Sequence, residues 1–339
     1  MQLQGQYQIL HTNIARTWQS GRMNAMRAAR HHLLLTYWAI GQHIVEFEQQ
    51  GNEKAEYGSK ILERLSRDLS DQFGRGFSRN NLIFMRLCYL RCPVVTLLSD
   101  QLTWAHYVEL MFIEHDLERS FYEKQAILEK WTVRELKRQK SSSLFLRLAA
   151  SQDKAGVLKL AEQGKLVERP EDILRDPYVF EFLKIPEPYH ASEKDLEARL
   201  TDNLQSFLLE LGKGFTFVGR QYGITIDNER YKVDLVFYHR YLRCFVLLDL
   251  KIEKVKHHDI GQMNMYLGYF AKEEYFDGDN PPVGIILTRQ KDELLVEFAT
   301  YGMSSQLFVS KYQLYLPNEA ELQAELEYIL SIEEENKRP

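Results

Sequence analysis

Apolar residues in the first half of the chain recur at helical spacing. Between 23 and 49, Leu34, Trp38, Ile44, Val45 and Phe47 keep a 3.6-residue period, which predicts an amphipathic helix. A second helix is expected over 57–73, where Ile61, Leu62, Leu65, Leu69 and Phe73 form one stripe. The run "GRGFS" at 74–78 interrupts it, and Ser78 is placed to cap a third helix over 79–91. Helices near 103–113 and 116–130 follow. Thr132 and Glu135 then match a capping box at the head of "TVRELKRQK". There is no internal repeat and no low-complexity tract.

The pattern changes after a seam. Pro170, Pro177, Pro186 and Pro188 fall among charged residues between 150 and 190. The expected organisation is therefore a helical domain over 1–165, a linker over 166–190 and a second domain over 191–339. Ser192 and Asp195 can cap a helix over 193–211 that Gly212 ends. Strand-like runs follow at 215–224, 231–239 and 243–251, then a helix over 257–271. "VGIILT" at 283–288 is apolar on both faces and reads as a buried strand. Helix and strand signals alternate to about 316, and an acidic helical tail closes the chain. The expected fold class is multi-domain α and α/β: an all-α N-terminal domain, then an αβββαβ domain with a mixed sheet.

Composition narrows the class. The 339 residues are 45% hydrophobic and 27% charged, which suits a folded globular protein and excludes disorder along the whole length. No apolar run approaches the roughly 18 residues a membrane helix needs. The first 30 residues hold no apolar core of a secretory leader. Cys88, Cys92 and Cys244 are too few for a disulfide scaffold, so a reducing, cytoplasmic setting is expected. Cys88 and Cys92 stand four apart without a second pair, so they are read as plain thiols rather than metal ligands.

The net charge of −5 hides a division: residues 1–150 carry +5 and residues 151–339 carry −10. Seven basic residues between Lys60 and Arg91 face three acids, and the 74–78 turn between two helices loosely fits a helix-turn-helix. Arg79 and Arg86 are the candidates there for touching a nucleic-acid backbone. Arg134, Lys137, Arg138 and Lys140 could extend that surface. A dimerisation or partner-binding bundle with solvated arginines accounts equally for the same pattern.

Three charged positions inside apolar strands carry the chemistry. Asp234 lies in "VDLVF", and Asp249 and Lys251 end "CFVLLDLK". Residues two apart on a strand share a face, so Asp249 and Lys251 should emerge together, with Leu250 turned into the other layer. The turn "HRYLR" is short enough to pair the two strands as a hairpin and bring Asp234 alongside. Two carboxylates plus the Leu250 carbonyl make a hard oxygen site suited to Mg²⁺, or Mn²⁺. A lysine beside such a site can orient or deprotonate a water, or stabilise charge on a phosphate, which amounts to metal-assisted phosphodiester hydrolysis.

The D-x14-D-x-K spacing of Asp234, Asp249 and Lys251 within an αβββαβ order resembles the PD-(D/E)XK nuclease superfamily, whose domain is restriction-endonuclease-like. Residues 190–325, with "LLELGKGFTFVGRQ", "VDLVFYHRYLRCFVLLDLK" and "GQMNMYL", resemble its YhcG-like nuclease domain. The first half, with "FSRNNLIFMRLCY" and "FYEKQAILEKWTVREL", resembles the helical domain of unknown function that precedes this nuclease in bacterial proteins. Val233 stands where the superfamily often has Pro, a position without a chemical role. The resemblance implies that Gln262 lies at the site edge and Tyr266 contacts substrate, four residues on along the same helix face. It also implies an acid from the first helix, with Glu197 the first candidate and Glu210 the second. A second [DE]-x-K run, Glu135 to Lys137, sits on a helix with no strand-borne acid before it and fails the context. His257 and His258 diverge on a helix and read as solvated.

The expectation is thus a Mg²⁺-dependent nuclease acting on nucleic acid, DNA first, with no membrane association. Asp234, Asp249 and the Leu250 carbonyl would hold metal, Lys251 would position water, and Glu197 and Gln262 would assist. The N-terminal domain would bring nucleic acid, a second copy of the chain or a partner protein. The alternative is a non-catalytic nucleic-acid-binding or regulatory protein that keeps the fold.

Overall fold

The computed structural model of the chain describes residues 2–49, 55–92, 98–185 and 192–335. It divides into two compact units, Met1–Leu136 and Lys137–Pro339.

The first unit is helical: α1 (Gln2–Gln49), α2 (Ala55–Phe73), α3 (Arg79–Arg91), α4 (Trp104–Leu110) and α5 (Asp116–Glu129), with α6 (Val133–Ser141) at the junction. The helix expected over 23–49 begins at Gln2 instead. Its first turns contain no proline and are rich in Gln, Arg, Ala and Met, which favour helix without needing an apolar period. Ser78 caps α3 by accepting the Asn81 N–H at 3.3 Å. The capping box on α6 forms, the Thr132 N–H donating to Glu135 Oε2 at 2.6 Å and the Glu135 N–H to Thr132 Oγ1 at 3.3 Å. Ile44, Leu62, Leu82 and Met85 make the core where α1, α2 and α3 meet.

Gly41 sets that meeting. A Cβ there would lie 2.0 Å from the Met85 carbonyl oxygen, which is helix backbone and cannot turn aside. Gly41→Ala should therefore destabilise the protein by about 1–3 kcal/mol or more, read as a lower Tm, despite alanine's better helix propensity.

The second unit opens with α7 (Leu144–Ala149), α8 (Lys154–Gln163) and the two-residue β1 (Tyr178–Val179). Then come α9 (Glu193–Asp202), α10 (Leu204–Leu211), β2 (Phe215–Ile226), β3 (Glu229–His239), β4 (Cys244–Lys251), α11 (His257–Glu273), β5 (Val283–Thr288), α12 (Glu293–Thr300), β6 (Gln306–Gln313) and α13 (Glu319–Glu335). One six-stranded sheet runs β1-β6-β5-β4-β3-β2. β2, β3 and β4 pair antiparallel, while β4, β5, β6 and β1 pair parallel, so the sheet is mixed. β5 is buried at every residue. One face packs Leu235, Phe237, Val246, Leu248 and Leu250 against Leu196, Leu200 and Phe207 from α9 and α10. The other packs Val233, Val236 and Leu247 against Ile260, Met263 and Tyr266 from α11.

One expectation is corrected here. The helix expected over 193–211 is two helices, broken at Asn203, which caps the first and starts the second. Its Ser192–Asp195 capping box does form. The compact units divide at 136/137. Tyr178 and Val179 add to the sheet beside β6, and Arg138, Arg147 and Arg175 converge on the buried carboxylate of Glu210. Long-range pairing of this kind leaves no period in a sequence. Among the described residues, no helix is long and apolar enough to cross a membrane.

Candidate active site

The site forms where β3 and β4 part. Their ladder ends at Leu235↔Leu248, one step short of Asp234 and Asp249. Beyond it the Leu250 N–H donates to Asp234 Oδ2 at 2.9 Å, so a side chain replaces the next ladder bond. The strand also changes face here: Leu235 belongs to the α9/α10 core, but Val233, two residues away, belongs to the α11 core. Opposite this switch, Gln221 of β2 adopts φ +47°. Both polar residues thus sit at a kink reachable from both layers.

Asp249 and Lys251 emerge on one face of β4, Lys251 Nζ lying 2.7 Å from Asp249 Oδ2. The side chain of Leu250 is buried in the opposite core. The Asp234 and Asp249 carboxyls are close enough to shift each other's proton affinity. Burial first, and the Asp234 charge second, push the Asp249 carboxyl up to about 7, against the pull of Lys251. Burial likewise raises Asp234, opposed by the Leu250 N–H and Asp249. For Lys251, burial alone would lower the pKa, yet Asp249, Glu193 and Asp259 raise it to about 12. Glu193 and Asp259 carboxylates stand 3.9 and 3.8 Å from its Nζ. Asp259 also caps α11 through the Lys256 N–H at 2.7 Å.

Glu197 reaches the cluster from α9. Gln221 Nε2 donates to Glu197 Oε2 at 2.5 Å and to Asp234 Oδ1 at 3.1 Å, tying the two acids together. Glu197 Oε1 is buried and takes no hydrogen bond, with the half-exposed Arg220 guanidinium 3.5 Å away. On α11, Gln262 donates to the Tyr266 hydroxyl, which donates to the Lys232 carbonyl at 3.0 Å. Tyr266 is buried, so it supports Gln262 and the β3 backbone from inside the core.

Other candidates lie elsewhere. Glu210 is fully buried and holds Arg138 at 2.6 Å, Arg147 at 2.8 Å and the Val179 N–H at 2.9 Å, a structural anchor away from the cluster. Arg138 is therefore spent on Glu210 and Glu181 and is not part of a phosphate-binding surface. In the first unit, Arg86 is held by Glu48 at 2.6 Å, and Arg79 lies 3.8 Å from Glu63. His257 and His258 are exposed. Burial pushes the Cys88 thiol up to about 12, the state of an inert core thiol.

Gln221 was not foreseen as a site residue. Its only sequence signal is a polar amide within a strand run, which solvent exposure would explain as well. The strand kink that turns it inward is a pairing effect.

Among the described residues, no three His, Cys, Asp or Glu side chains are arranged as a ready cation cage; the Lys251 ammonium supplies the positive charge. The donor set still fits a hard divalent cation. It offers carboxylates from two adjacent strands, whose raised pKa values a cation would relieve, and a third from α9 with a buried oxygen that takes no hydrogen bond.

Comparison with known proteins identifies the family. Residues 171–327 match the family described as YhcG PDDEXK nuclease domain, and residues 13–147 match the DUF1016 N-terminal domain. The chain is similar to the "Putative nuclease YhcG" of Escherichia coli (strain K12), 36% identical over 364 aligned positions that cover 98% of this chain and 96% of that protein. Weaker likenesses reach a repair endonuclease from Pyrococcus abyssi (21% identity, TM-score 0.27, 39% of this chain and 50% of that one) and EndoMS in a dsDNA complex (20%, 0.26, 40% and 50%). This chain spans about half the length of those two. A nuclease-domain match over the acid and lysine cluster, preceded by a match to the DUF1016 N-terminal domain and supported by a relative along nearly the whole length, settles the kinship: the chain belongs to the YhcG family of PDDEXK nucleases.

Proposed function

We propose that the protein hydrolyses phosphodiester bonds in DNA with a divalent metal, Mg²⁺ first and Mn²⁺ as a substitute. The observation that carries this reading is the convergence of Glu197, Asp234, Asp249 and Lys251 at the parted ends of β3 and β4. Burying paired carboxylates costs stability, and a fold that retained no chemistry would lose nothing by replacing them.

Asp234, Asp249 and the Leu250 carbonyl would hold the metal, with Glu197 beside them. When bound, the metal supplies neutralising charge for the phosphate and a more acidic water. The protein's own groups do the rest. Leu250 N–H and Gln221 fix the two oxygens of Asp234, while Gln221 also fixes Glu197. The Lys251 ammonium, steadied by Asp249, points a water at phosphorus and offsets charge as it builds on the phosphoryl oxygens. Gln262, braced by Tyr266, borders the substrate. On the helical unit, Arg79 is the better phosphate contact, because its side chain is 46% exposed and only loosely paired, whereas Arg86 is taken by Glu48.

The test is incubation of the full chain with plasmid DNA, DNA oligonucleotides and RNA oligonucleotides, with Mg²⁺, Mn²⁺ or EDTA. Metal-dependent cleavage of DNA is expected. DNA binding without any cleavage under either metal would favour the non-catalytic alternative.

Gln221→Ala gives a finer check. Freeing Glu197 and Asp234 should cost about 10–100-fold in metal affinity or kcat. The Tm should fall modestly as well, since the buried Glu197 loses the donor to its Oε2. A Tm drop with unchanged turnover per folded molecule would rule out a positioning role.

A further inference from the structure

We propose that the amino-terminal part of α1 is a dimerisation helix, pairing antiparallel with the same helix of a second copy of this chain. Of its large exposed side chains, Tyr7, Leu10, Ile14 and Trp18 (66%, 56%, 60% and 73% exposed) share one face, while Ile9 and Met23, each 64% exposed, lie on the other. At 3.6 residues per turn the first four fall, with Thr17, Gly21, Ala25 and Ala28, in one stripe about 100° wide. Arg16, Arg27 and Arg30 lie on the opposite face, and residues 1–45 contain no acid. That is an apolar seam with its charges turned away.

The order of side-chain sizes selects the partner. About a twofold axis between residues 17 and 18, each bulky residue meets a small one: Tyr7 faces Ala28, Leu10 faces Ala25, Ile14 faces Gly21 and Trp18 faces Thr17. Each pair occurs twice, as an isologous contact requires. Large against small is how two helices interdigitate without voids. A parallel pair would set bulk on bulk at one end and gap on gap at the other. Charge agrees with the antiparallel arrangement. Arg22, the cation at the margin of the stripe, falls opposite Asn13, whereas parallel helices would set it beside its own copy.

Gly21 adds an independent observation. Glycine weakens a helix interior relative to alanine. A Cβ at Gly21 would meet no heavy atom within 4 Å in this chain, so no internal contact calls for a glycine. A second helix crossing at Ile14 would.

The experiment reads mass and register and does not depend on nuclease activity. Sedimentation equilibrium of the full chain across roughly 1–100 µM should show a monomer–dimer equilibrium. Ile14→Glu with Trp18→Glu changes only exposed residues and should raise the dimer Kd by about 100-fold or more, with the Tm of the remaining fold unchanged. For register, Leu10→Cys chains are mixed with Ala25→Cys chains and oxidised, with the unaltered chain as background. Disulfide dimers should come from the mixture and from neither variant alone. A monomer throughout, a dimer that survives the paired glutamates, a silent mixture, or cross-linking of Leu10→Cys by itself would each overturn the proposal.

Discussion

Asp249→Ala and Lys251→Ala should each remove cleavage, with kcat falling by about 10²–10⁴-fold at saturating metal. Stability should separate Asp249→Asn from Lys251→Ala. Asp249 is buried against Asp234, and its carboxyl is raised by burial and by that neighbour's charge, so the folded state bears an unfavourable pair. Asp249→Asn removes the repulsion while keeping the shape, and should leave Tm unchanged or higher while activity is lost. Lys251→Ala removes the ammonium 2.7 Å from Asp249 and leaves the acids without their cation, so Tm should fall. Opposite stability changes with a shared loss of activity are the signature of a site kept for chemistry. Turnover that persists in both Asp249→Ala and Lys251→Ala would refute the assignment.

Glu210→Ala should be the most destabilising single change, at about 3–5 kcal/mol, because it leaves guanidinium groups buried without their anion. Arg147 and Arg175 side chains are 2% and 4% exposed, and Arg138 is 15% exposed, so water cannot replace the carboxylate cheaply. The Val179 N–H would lose its acceptor as well, loosening the edge strand. The same group gives a pH signature. Burial would raise the Glu210 pKa, but Arg147, Arg138 and Arg175 outweigh it and hold the carboxyl down to about 2, from 4.5. A depressed folded-state pKa stabilises fully above the unfolded value. That contribution, about 3 kcal/mol, should fade as pH falls from 4.5 towards 2. Urea unfolding of wild type and Glu210→Gln between pH 7 and 3 checks it: the wild-type advantage should shrink with acid, and an advantage independent of pH would sink the account.

The helices of the first unit and the central strands were legible because they follow local rules. Ser78, Thr132 and Ser192 announce their caps within four residues, and β5 declares its burial by being apolar throughout. The pairing of Asp249 with Lys251 was equally readable, since strand alternation alone places them side by side. What escaped was set across distance. Glu210 reads as the second candidate for the site acid until three arginines from remote segments reach it. Gln221 looks like a solvated strand residue until a kink turns it towards Asp234 and Glu197. The 166–190 segment reads as a linker until β1 docks beside β6.

By itself, then, the order of residues determined the secondary elements, the αβββαβ succession and the identity of the acid and lysine group, because period, capping and spacing act within a few residues of one another. Only the tertiary structure decided where the compact units divide, which glutamate joins the site and which anchors the core, and how the acids are held. Those outcomes depend on strand register and on charges brought together from afar in a dry interior, where an unmatched charge is too costly to leave.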